Sequence, residues 1–310
     1  MRIVMMGTGA YAVPTFQAIC DSQHEVVALF TRPDRGGPGR KPARNPMRDT
    51  AGSVRVFDPE DANDAESEKA LSELHPDLLV VCDYGQILSD AILDLATDGG
   101  FNLHASLLPK YRGAAPINWA VYHGETETGN TVIHMNRQMD AGPCVSQQTI
   151  SIATDETAAE LEIRLATSGA QLVLETIDSL KQGNLQRLPQ DPQQVTRARK
   201  LRKSDGEVDW TRSAEQICNQ VRALKPWPKT YTHWIRNEKE PLRLILDRVS
   251  VHSAPVDAGP GIVAMSDGCL VIGTGDGALS LDQLQPAGKR VLSSKEFLRG
   301  YPVQPSDRLA

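Results

Sequence analysis

Apolar runs and helix-forming segments alternate along the first half of the chain. The runs are short and rich in Val, Ile, Leu and Phe, as buried parallel strands are, and they cover residues 2–6, 26–30, 78–81 and 101–104. Gly7, Gly9 and Pro14 interrupt the apolar N-terminal stretch of residues 1–20, which favours a first strand over a signal peptide. Residues 61–75, a segment rich in acidic side chains, give the clearest helical pattern between two of these runs. This alternation predicts an α/β fold built on a doubly wound, mainly parallel sheet.

The pattern changes after Gly129. Residues 131–135 and 145–152 alternate as half-buried strands do, and the sequence Thr-Asp-Glu-Thr at 154–157 is typical of a helix start. A long helix should follow, because Leu161, Leu165, Leu172 and Ile177 are spaced for one helical face. We expect this helix to complete a first domain over residues 1–188.

Residues 189–205 are rich in Gln, Pro and basic side chains and predict a linker. Beyond it, residues 213–224 suit one short helix. Short strands separated by Gly, Asp and Pro are predicted at 242–249, 261–265, 269–273 and 278–284. A second domain over residues 206–310, a small β-barrel resembling an OB-fold, accounts for this pattern.

Two polar residues stand at the end of the fourth apolar run. Asn102 and His104 share one face of that strand, because side chains alternate with a period of two. Ligands bind at the carboxyl ends of the strands in open α/β sheets, and an unpaired buried polar group costs about 1–3 kcal/mol. Taken singly, each residue could also be a core residue whose polar side chain is hydrogen-bonded within the protein. Asp140, beside Gly142, equally fits a turn, and only proximity to His104 would favour catalysis.

An amide, an imidazole and a carboxylate without a nucleophile suit one kind of chemistry. The chain lacks the G-x-S-x-G, H-E-x-x-H and G-K-[ST] motifs of esterases, zinc proteases and nucleoside triphosphatases. These three residues suit the direct transfer of a chemical group between two bound substrates. The amide would polarise a carbonyl, and the imidazole and the carboxylate would handle a proton.

The turn after the first strand contains two glycines in the sequence Gly-Thr-Gly-Ala-Tyr-Ala, residues 7–12. It resembles a degenerate dinucleotide fingerprint. The acidic residue expected at the end of the second strand is missing, because Asp34 follows a proline within a basic segment. A tight strand-to-helix turn explains the glycines as well.

Composition and charge narrow the class of protein. A length of 310 residues suits two globular domains, and five scattered cysteines without metal-ligand spacing suggest a reducing cytoplasm and no metal. The net charge is -6. Residues 1–188 hold 15 Lys and Arg against 25 Asp and Glu, whereas residues 189–310 hold 18 against 14. Cations cluster at 32–48 and 197–203, either as solvated surface or as contacts to nucleic acid.

The chain resembles the 10-formyltetrahydrofolate-dependent formyltransferases. The similar blocks are Asn102-x-His104, residues 106–117, Asp-Ala-Gly at 140–142, and residues 30–35, 83–88, 206–210, 222–228 and 284–289. The last three belong to the C-terminal domain typical of the members that act on methionyl-tRNA. One departure is Cys82-Asp83, which stands where the family has small apolar residues.

The resemblance implies a formyltransferase fold and a role for each candidate residue. Asn102 would stabilise the oxyanion, and His104 with Asp140 would handle the proton, as the α-amine of initiator methionyl-tRNA attacks the formyl group of 10-formyltetrahydrofolate. No metal takes part. The residues implied in folate binding are Ser106, Leu107, Leu108, Pro109, Tyr84, Gln86, Ile87 and Leu88. Those implied in tRNA binding are Arg35, Arg40, Lys41, Arg44, Lys200, Arg202 and Lys203.

Alternative functions remain open at this stage. The same three catalytic residues would serve an N-formyltransferase that acts on a small amine, such as an amino-sugar nucleotide or glycinamide ribonucleotide. Hydrolysis of the folate, with water as the acceptor, is a third possibility. An RNA-binding module without catalysis would keep the basic segments but would have no use for Asn102, His104 and Asp140 together.

Overall fold

The computed structural model describes residues 1–34, 45–236, 239–254, 256–266, 268–304 and 307–310. The chain forms two compact units. The first unit contains Met1–Pro116, Glu127–Ser151 and Leu161–Arg199, and the second contains Ile117–Thr126, Ile152–Glu160 and Lys200–Ala310. The domain boundaries proposed from sequence remain a prediction.

A mainly parallel sheet forms the centre of the first unit. The strands of this half of the chain are β1 (Arg2–Gly7), β2 (Glu25–Phe30), β3 (Val56–Phe57), β4 (Leu78–Cys82), β5 (Gly100–His104), β6 (Arg112–Gly113), β7 (Glu127–His134) and β8 (Cys144–Ser151). The sheet order is β3-β2-β1-β4-β5-β7-β8. Strands β1 to β5 pair in parallel, and β7 pairs antiparallel with both β5 and β8.

Helices connect these strands. They are α1 (Val13–Cys20), α2 (Pro46–Thr50), α3 (Ala65–Leu74), α4 (Asp90–Leu93), α5 (Pro116–Tyr122) and α6 (Ala158–Lys181). Since the chain proceeds from β1 to one side of the sheet and returns to β4 on the other, the order of a doubly wound fold is confirmed.

The predicted strands of the sheet and the predicted long helix are confirmed. Both were predicted from apolar residues, and these residues are buried in the structure. Every residue of β4 is buried, which matches a continuous apolar run covered on both faces. On α6, the predicted apolar face packs inward, with Leu161, Leu165 and Ile177 fully buried and Leu172 nearly so. No helix in the described ranges is long and apolar enough to cross a membrane.

Close packing surrounds the two glycines of the first turn. A Cβ atom on Gly7 would stand 2.8 Å from the Cβ of Ala12 and 2.9 Å from the carbonyl oxygen of Cys82. A Cβ atom on Gly9 would stand 1.6 Å from Oδ2 of Asp83. Gly7 is therefore required by rigid neighbours, without reference to a nucleotide, whereas a side chain at Gly9 would displace only the carboxylate of Asp83.

The second unit contains a twisted antiparallel sheet. Strand β9 (Arg197–Ala198) still belongs to the first unit. The helices of the second unit are α7 (Ala214–Ala223) and α8 (Ser294–Gly300), and its strands are β10 (Thr230–Arg236), β11 (Lys239–Val251), β12 (Val263–Ser266), β13 (Cys269–Gly273), β14 (Ala278–Pro286), β15 (Leu292–Ser293) and β16 (Arg308–Leu309). The order is β12-β13-β14-β11-β10-β16, with β15 beside β14.

The antiparallel C-terminal domain is confirmed, but the pairing is an open path over the described residues and not a closed barrel. An isolated bridge between Ile262 and Arg308 links its two edges. The sequence pattern missed β10. Its buried face consists of Thr230, Thr232 and Trp234, and two threonines carry little hydrophobic signal.

Most of the segment predicted as a linker is folded as part of the first unit, which extends to Arg199. Strand β9 pairs in parallel with β6, and Leu188 exchanges two backbone hydrogen bonds with Cys144 at the start of β8. Between them, Pro192–Gln194 forms a short 3-10 helix. These backbone hydrogen bonds leave no periodicity in the sequence, which explains why the pattern predicted a linker.

Candidate active site

The carboxyl end of β5 lies next to the point where the strand order reverses. Its neighbour β4 stands beside β1, and the backbone register pairs Val81 of β4 with Asn102. On the other side, His104 pairs with Thr131 of β7. Asn102 and His104 therefore stand at the edge of the sheet where open α/β folds bind ligands.

His104 is buried, and its two ring nitrogens face different partners. Nε2 lies 2.9 Å from the carbonyl oxygen of Tyr111. A carbonyl oxygen only accepts, so we assign the proton to Nε2. Nδ1 lies 3.7 Å from Oδ1 of Asp140. In the neutral ring, the Nδ1 lone pair therefore faces the carboxylate, at a distance of an ion pair and not of a hydrogen bond.

Asp140 occupies an unusual backbone conformation. Its φ angle is 52°, in the left-handed region that few non-glycine residues adopt. Oδ2 accepts a 2.8 Å hydrogen bond from the N–H of Gly113, which leaves Oδ1 for His104. The structure thus brings together the two residues whose proximity the sequence alone left open.

The Asn102 side chain is half-buried and has no hydrogen-bond partner among the residues that the structure describes. Its amide can therefore donate to, and accept from, a bound molecule without breaking an internal bond. A half-buried amide without a protein partner is compatible with a binding site, since a ligand could replace the water that it bonds.

The loop after His104 depends on a residue that sequence analysis missed. The Thr131 hydroxyl donates to the carbonyl oxygen of Ser106 at 2.6 Å and accepts from the N–H of Leu108 at 3.1 Å. Gln147 donates to both Thr131 and the Leu108 carbonyl. The position of Thr131 across from His104 in an antiparallel pair follows only from the strand register.

The residues implied in folate binding differ in exposure. Ser106, Leu108, Tyr84 and Leu88 are buried, Leu107, Pro109 and Gln86 are half-buried, and Ile87 is 55% exposed. Several backbone groups of Ser106 and Leu108 already have partners within the protein. Gln86 accepts from the N–H of Ala62. Ile87 therefore presents the largest apolar surface to solvent in this set.

Asp83 stands at the end of β4 with a φ angle of 46°. The residue as a whole is exposed to water, and its carboxyl group lies over Gly9. Partial burial, followed by the charge of Glu162, raises the pKa of Asp83 to about 6. The departure from the family pattern thus places an acidic group at the same sheet edge as Asn102.

The basic residues fall into two groups. Arg35, Arg40, Lys41 and Arg44 lie outside the described residues. Lys200, Arg202 and Lys203 are exposed in the second unit. Within the described ranges, no three His, Cys, Asp or Glu side chains are arranged to hold a metal ion.

Comparison with known protein families covers both units. Residues 1–177 match the family described as formyl transferase, and residues 200–302 match the formyl transferase C-terminal domain. The chain belongs to the formyl transferase family.

Relatives within the formyl transferase family are similar over nearly the full length. A methionyl-tRNA formyltransferase from Rhodopirellula baltica is 42% identical, with 100% of this chain and 96% of the relative covered. One from Magnetococcus marinus is 41% identical, with 99% and 98% covered.

Solved formyl transferase structures share the fold at low identity. The sugar 3N-formyl transferase WlaRD, determined with dTDP and 5-N-formyl-THF, superposes with a TM-score of 0.68 at 17% identity, covering 94% of this chain and 99% of that one. HypX from Aquifex aeolicus, in complex with tetrahydrofolic acid, has a TM-score of 0.63 at 16% identity, covering 100% of this chain and 50% of that one.

Proposed function

We propose that this formyl transferase transfers the formyl group of 10-formyltetrahydrofolate to the α-amine of methionyl-initiator tRNA. The observation that carries the proposal is full-length similarity, including the C-terminal domain, to proteins named methionyl-tRNA formyltransferase. The products are N-formylmethionyl-tRNA, which serves translation initiation, and tetrahydrofolate. This reaction belongs in the cytoplasm.

Asn102 is the proposed oxyanion donor. The neutral amine nitrogen attacks the formyl carbon, a C–N bond forms, and the carbonyl oxygen becomes negatively charged. The Asn102 N–H group donates to that oxygen, and its availability supports this role. When the bond from the formyl carbon to N10 of the folate breaks, the carbonyl re-forms and N10 gains a proton.

His104 and Asp140 are the proposed proton acceptors. The attacking amine becomes positively charged on bond formation and must lose a proton. Nδ1 of His104 and Oδ1 of Asp140 face each other at 3.7 Å, and a proton taken by either is stabilised by the other. The Tyr111 carbonyl holds Nε2–H and so keeps the Nδ1 lone pair directed at Asp140.

The two substrates need different surfaces. For the folate, we propose the loop Ser106 to Pro109 and the segment Tyr84 to Leu88, with the exposed side chain of Ile87 as an apolar contact. For tRNA, exposed Lys200, Arg202 and Lys203 would contact phosphates, together with the basic segment that contains Arg35, Arg40, Lys41 and Arg44.

The second candidate is N-formylation of an amino-sugar nucleotide. The observation in its favour is the fold shared with the sugar 3N-formyl transferase. Its chemistry at Asn102, His104 and Asp140 would be the same. The low identity to that structure shows the fold alone, whereas 42% and 41% identity to proteins named methionyl-tRNA formyltransferase favours methionyl-tRNA as the acceptor.

The test is formyl transfer from 10-formyltetrahydrofolate to purified methionyl-tRNA. Uncharged tRNA, an amino-sugar nucleotide and water serve as parallel acceptors. We expect transfer to methionyl-tRNA alone. Equal or faster transfer to the amino-sugar nucleotide would favour the second candidate, and rapid release of formate without an acceptor would indicate hydrolysis.

A further inference from the structure

Residues 188–198, which we call the strap, run along the loops that contain Asp140 and Gly113. Leu188 bonds to Cys144 at one end, and β9 pairs with β6 at the other. Between these ends, the hydroxyl of Thr196 accepts from the N–H of Tyr111. The strap therefore belongs to the first unit, although its sequence resembles a flexible connection.

Gln190 lies within the strap, and both the oxygen and the nitrogen of its side-chain amide form hydrogen bonds next to the candidate active site. Oε1 accepts from Nε and Nη2 of Arg112, at 2.9 and 2.7 Å. Nε2 donates to the carbonyl oxygens of Asp140 and Gly142, at 2.9 and 2.7 Å. An amide has two donor hydrogens and one two-lone-pair oxygen, so this side chain is saturated.

These bonds hold a residue in a conformation that is unfavourable by itself. Asp140 has a left-handed φ angle, which is uncommon for a non-glycine residue and costs free energy unless the surroundings support it. Gln190 holds the Asp140 carbonyl, while the adjacent Gly113 N–H holds Oδ2. Arg112 and Gly113 form β6, so one two-residue strand anchors both the Gln190 amide and the Asp140 carboxylate.

We propose that Gln190 is a positioning residue for the transfer reaction: its amide fixes the main chain of Asp140 so that Oδ1 faces Nδ1 of His104. This inference rests on the proposed function. Glutamine suits the position because the guanidinium on one side needs an acceptor and the two carbonyls on the other need donors. Glutamate lacks the donors, and lysine and arginine lack the acceptor.

The first test compares Gln190→Met and Gln190→Glu with Gln193→Met, a change at an exposed residue of the same strap. A misplacement of about 1 Å near reacting groups costs up to about 100-fold in rate. We therefore expect kcat to fall about 10- to 100-fold in both Gln190 variants, with KM for folate and for tRNA nearly unchanged. Gln193→Met should behave as the wild type.

Gln190→Glu separates the two sides of the network, since it keeps the acceptor for Arg112 and removes the donors to Asp140 and Gly142. If Gln190 served only to attach the strap to Arg112, this variant would keep its kcat. That result would overturn the proposal. Melting temperatures identify variants that fail to fold, and Gln190→Glu retains the test if Gln190→Met does not fold.

A double-mutant cycle with Asp140→Asn shows whether Gln190 acts through Asp140. The losses should be strongly non-additive, with Gln190→Met costing less than threefold in the Asp140→Asn background. Additive losses, or a raised KM with normal kcat, would contradict the inference. If Asp140→Asn itself were fully active, the proposed catalytic role would fail instead, so the two failures are distinguishable.

Discussion

Oδ1 of Asp140 lies 3.7 Å from Nδ1 of His104, although the two residues belong to segments separated by α5 and β7. The other carboxylate oxygen accepts from Gly113, and the other imidazole nitrogen faces the Tyr111 carbonyl. Each group thus keeps one atom for the other, and Asn102, two residues before His104 on β5, has no hydrogen-bond partner among the described residues. The predictions below follow from these contacts and from their surroundings.

Asn102→Ala should lower kcat about 100- to 1,000-fold, the usual effect of losing one oxyanion donor. The melting temperature should change little, because the Asn102 side chain has no hydrogen bond with the described residues. Steady-state formyl transfer and a thermal melt measure the two effects, with Asn184→Ala at an exposed position as the control. Near wild-type turnover would remove Asn102 from the mechanism.

Gly113→Ala should destabilise the protein and slow transfer together. A Cβ at Gly113 would stand 2.4 Å from the Ala198 carbonyl oxygen, and the φ angle there is 129°. Left-handed strain costs about 1–2 kcal/mol, and overpacking adds about 1–3 kcal/mol.

Gly183→Ala is the matched control for this change. Gly183 also has a positive φ, of 73°, but a Cβ there meets nothing within 4 Å. It should show the strain cost alone, with normal kcat. Equal melting temperatures for the two variants would contradict the contact between β6 and β9.

Thr131→Val should weaken folate binding and stability. The change leaves the carbonyl of Ser106 and the N–H of Leu108 without their hydroxyl partner, and each unsatisfied buried group costs about 1–3 kcal/mol. We expect a higher KM for the folate together with a lower melting temperature.

Thr128→Val, on the same strand, is the control for Thr131. The Thr128 hydroxyl is buried without a partner among the described residues, so its removal should be neutral or stabilising. If both valine variants melted alike, the hydrogen bonds of Thr131 would contribute nothing specific.

Asp83→Asn should stabilise the protein at neutral pH but not in acid. The pKa of Asp83 is raised from 3.8 to about 6 in the folded state, so the folded state binds the proton more tightly than the unfolded state. Stability is therefore lost as pH rises from about 4 to about 6. Two pKa units correspond to about 3 kcal/mol, which solvent screening of an exposed carboxyl reduces to about 1 kcal/mol.

Melting curves of wild type and Asp83→Asn at several pH values test this linkage. The curves should coincide near pH 4 and separate above pH 6, with the variant more stable. Glu162→Gln should act in the same direction, because burial also raises the pKa of Glu162 and its charge contributes to that of Asp83. A constant difference at all pH values would refute the assignment.

Replacing Lys200, Arg202 and Lys203 together by Ala should raise KM for tRNA and leave KM for the folate unchanged. Each lost phosphate contact should lower the slope of log affinity against log salt by about 1. Lys69→Ala, which removes an exposed cation from α3, is the control. A salt dependence identical to that of the wild type would exclude these residues from the tRNA interface.

Local patterns were enough to locate most elements of the fold. Continuous apolar runs predicted β1, β2, β4 and β5, since parallel strands are buried on both faces and leave a signal at each residue. The period of two placed Asn102 and His104 on one side of β5. Strand β10 and the folded strap were not predicted, because threonines and hydrogen-bonded amides stabilise them and such contacts have no periodicity.

By itself, the sequence determined the alternation of strands and helices, the polar pair at the end of β5 and the family to which the chain belongs. Only the tertiary structure decided that Asp140 meets His104, that Thr131 holds the loop of Ser106 and Leu108, and that Gln190 holds the main chain of Asp140. The physical reason is that hydrogen bonds depend on distance and direction between atoms that are remote along the chain. Burial, by contrast, leaves its record in each residue's own side chain.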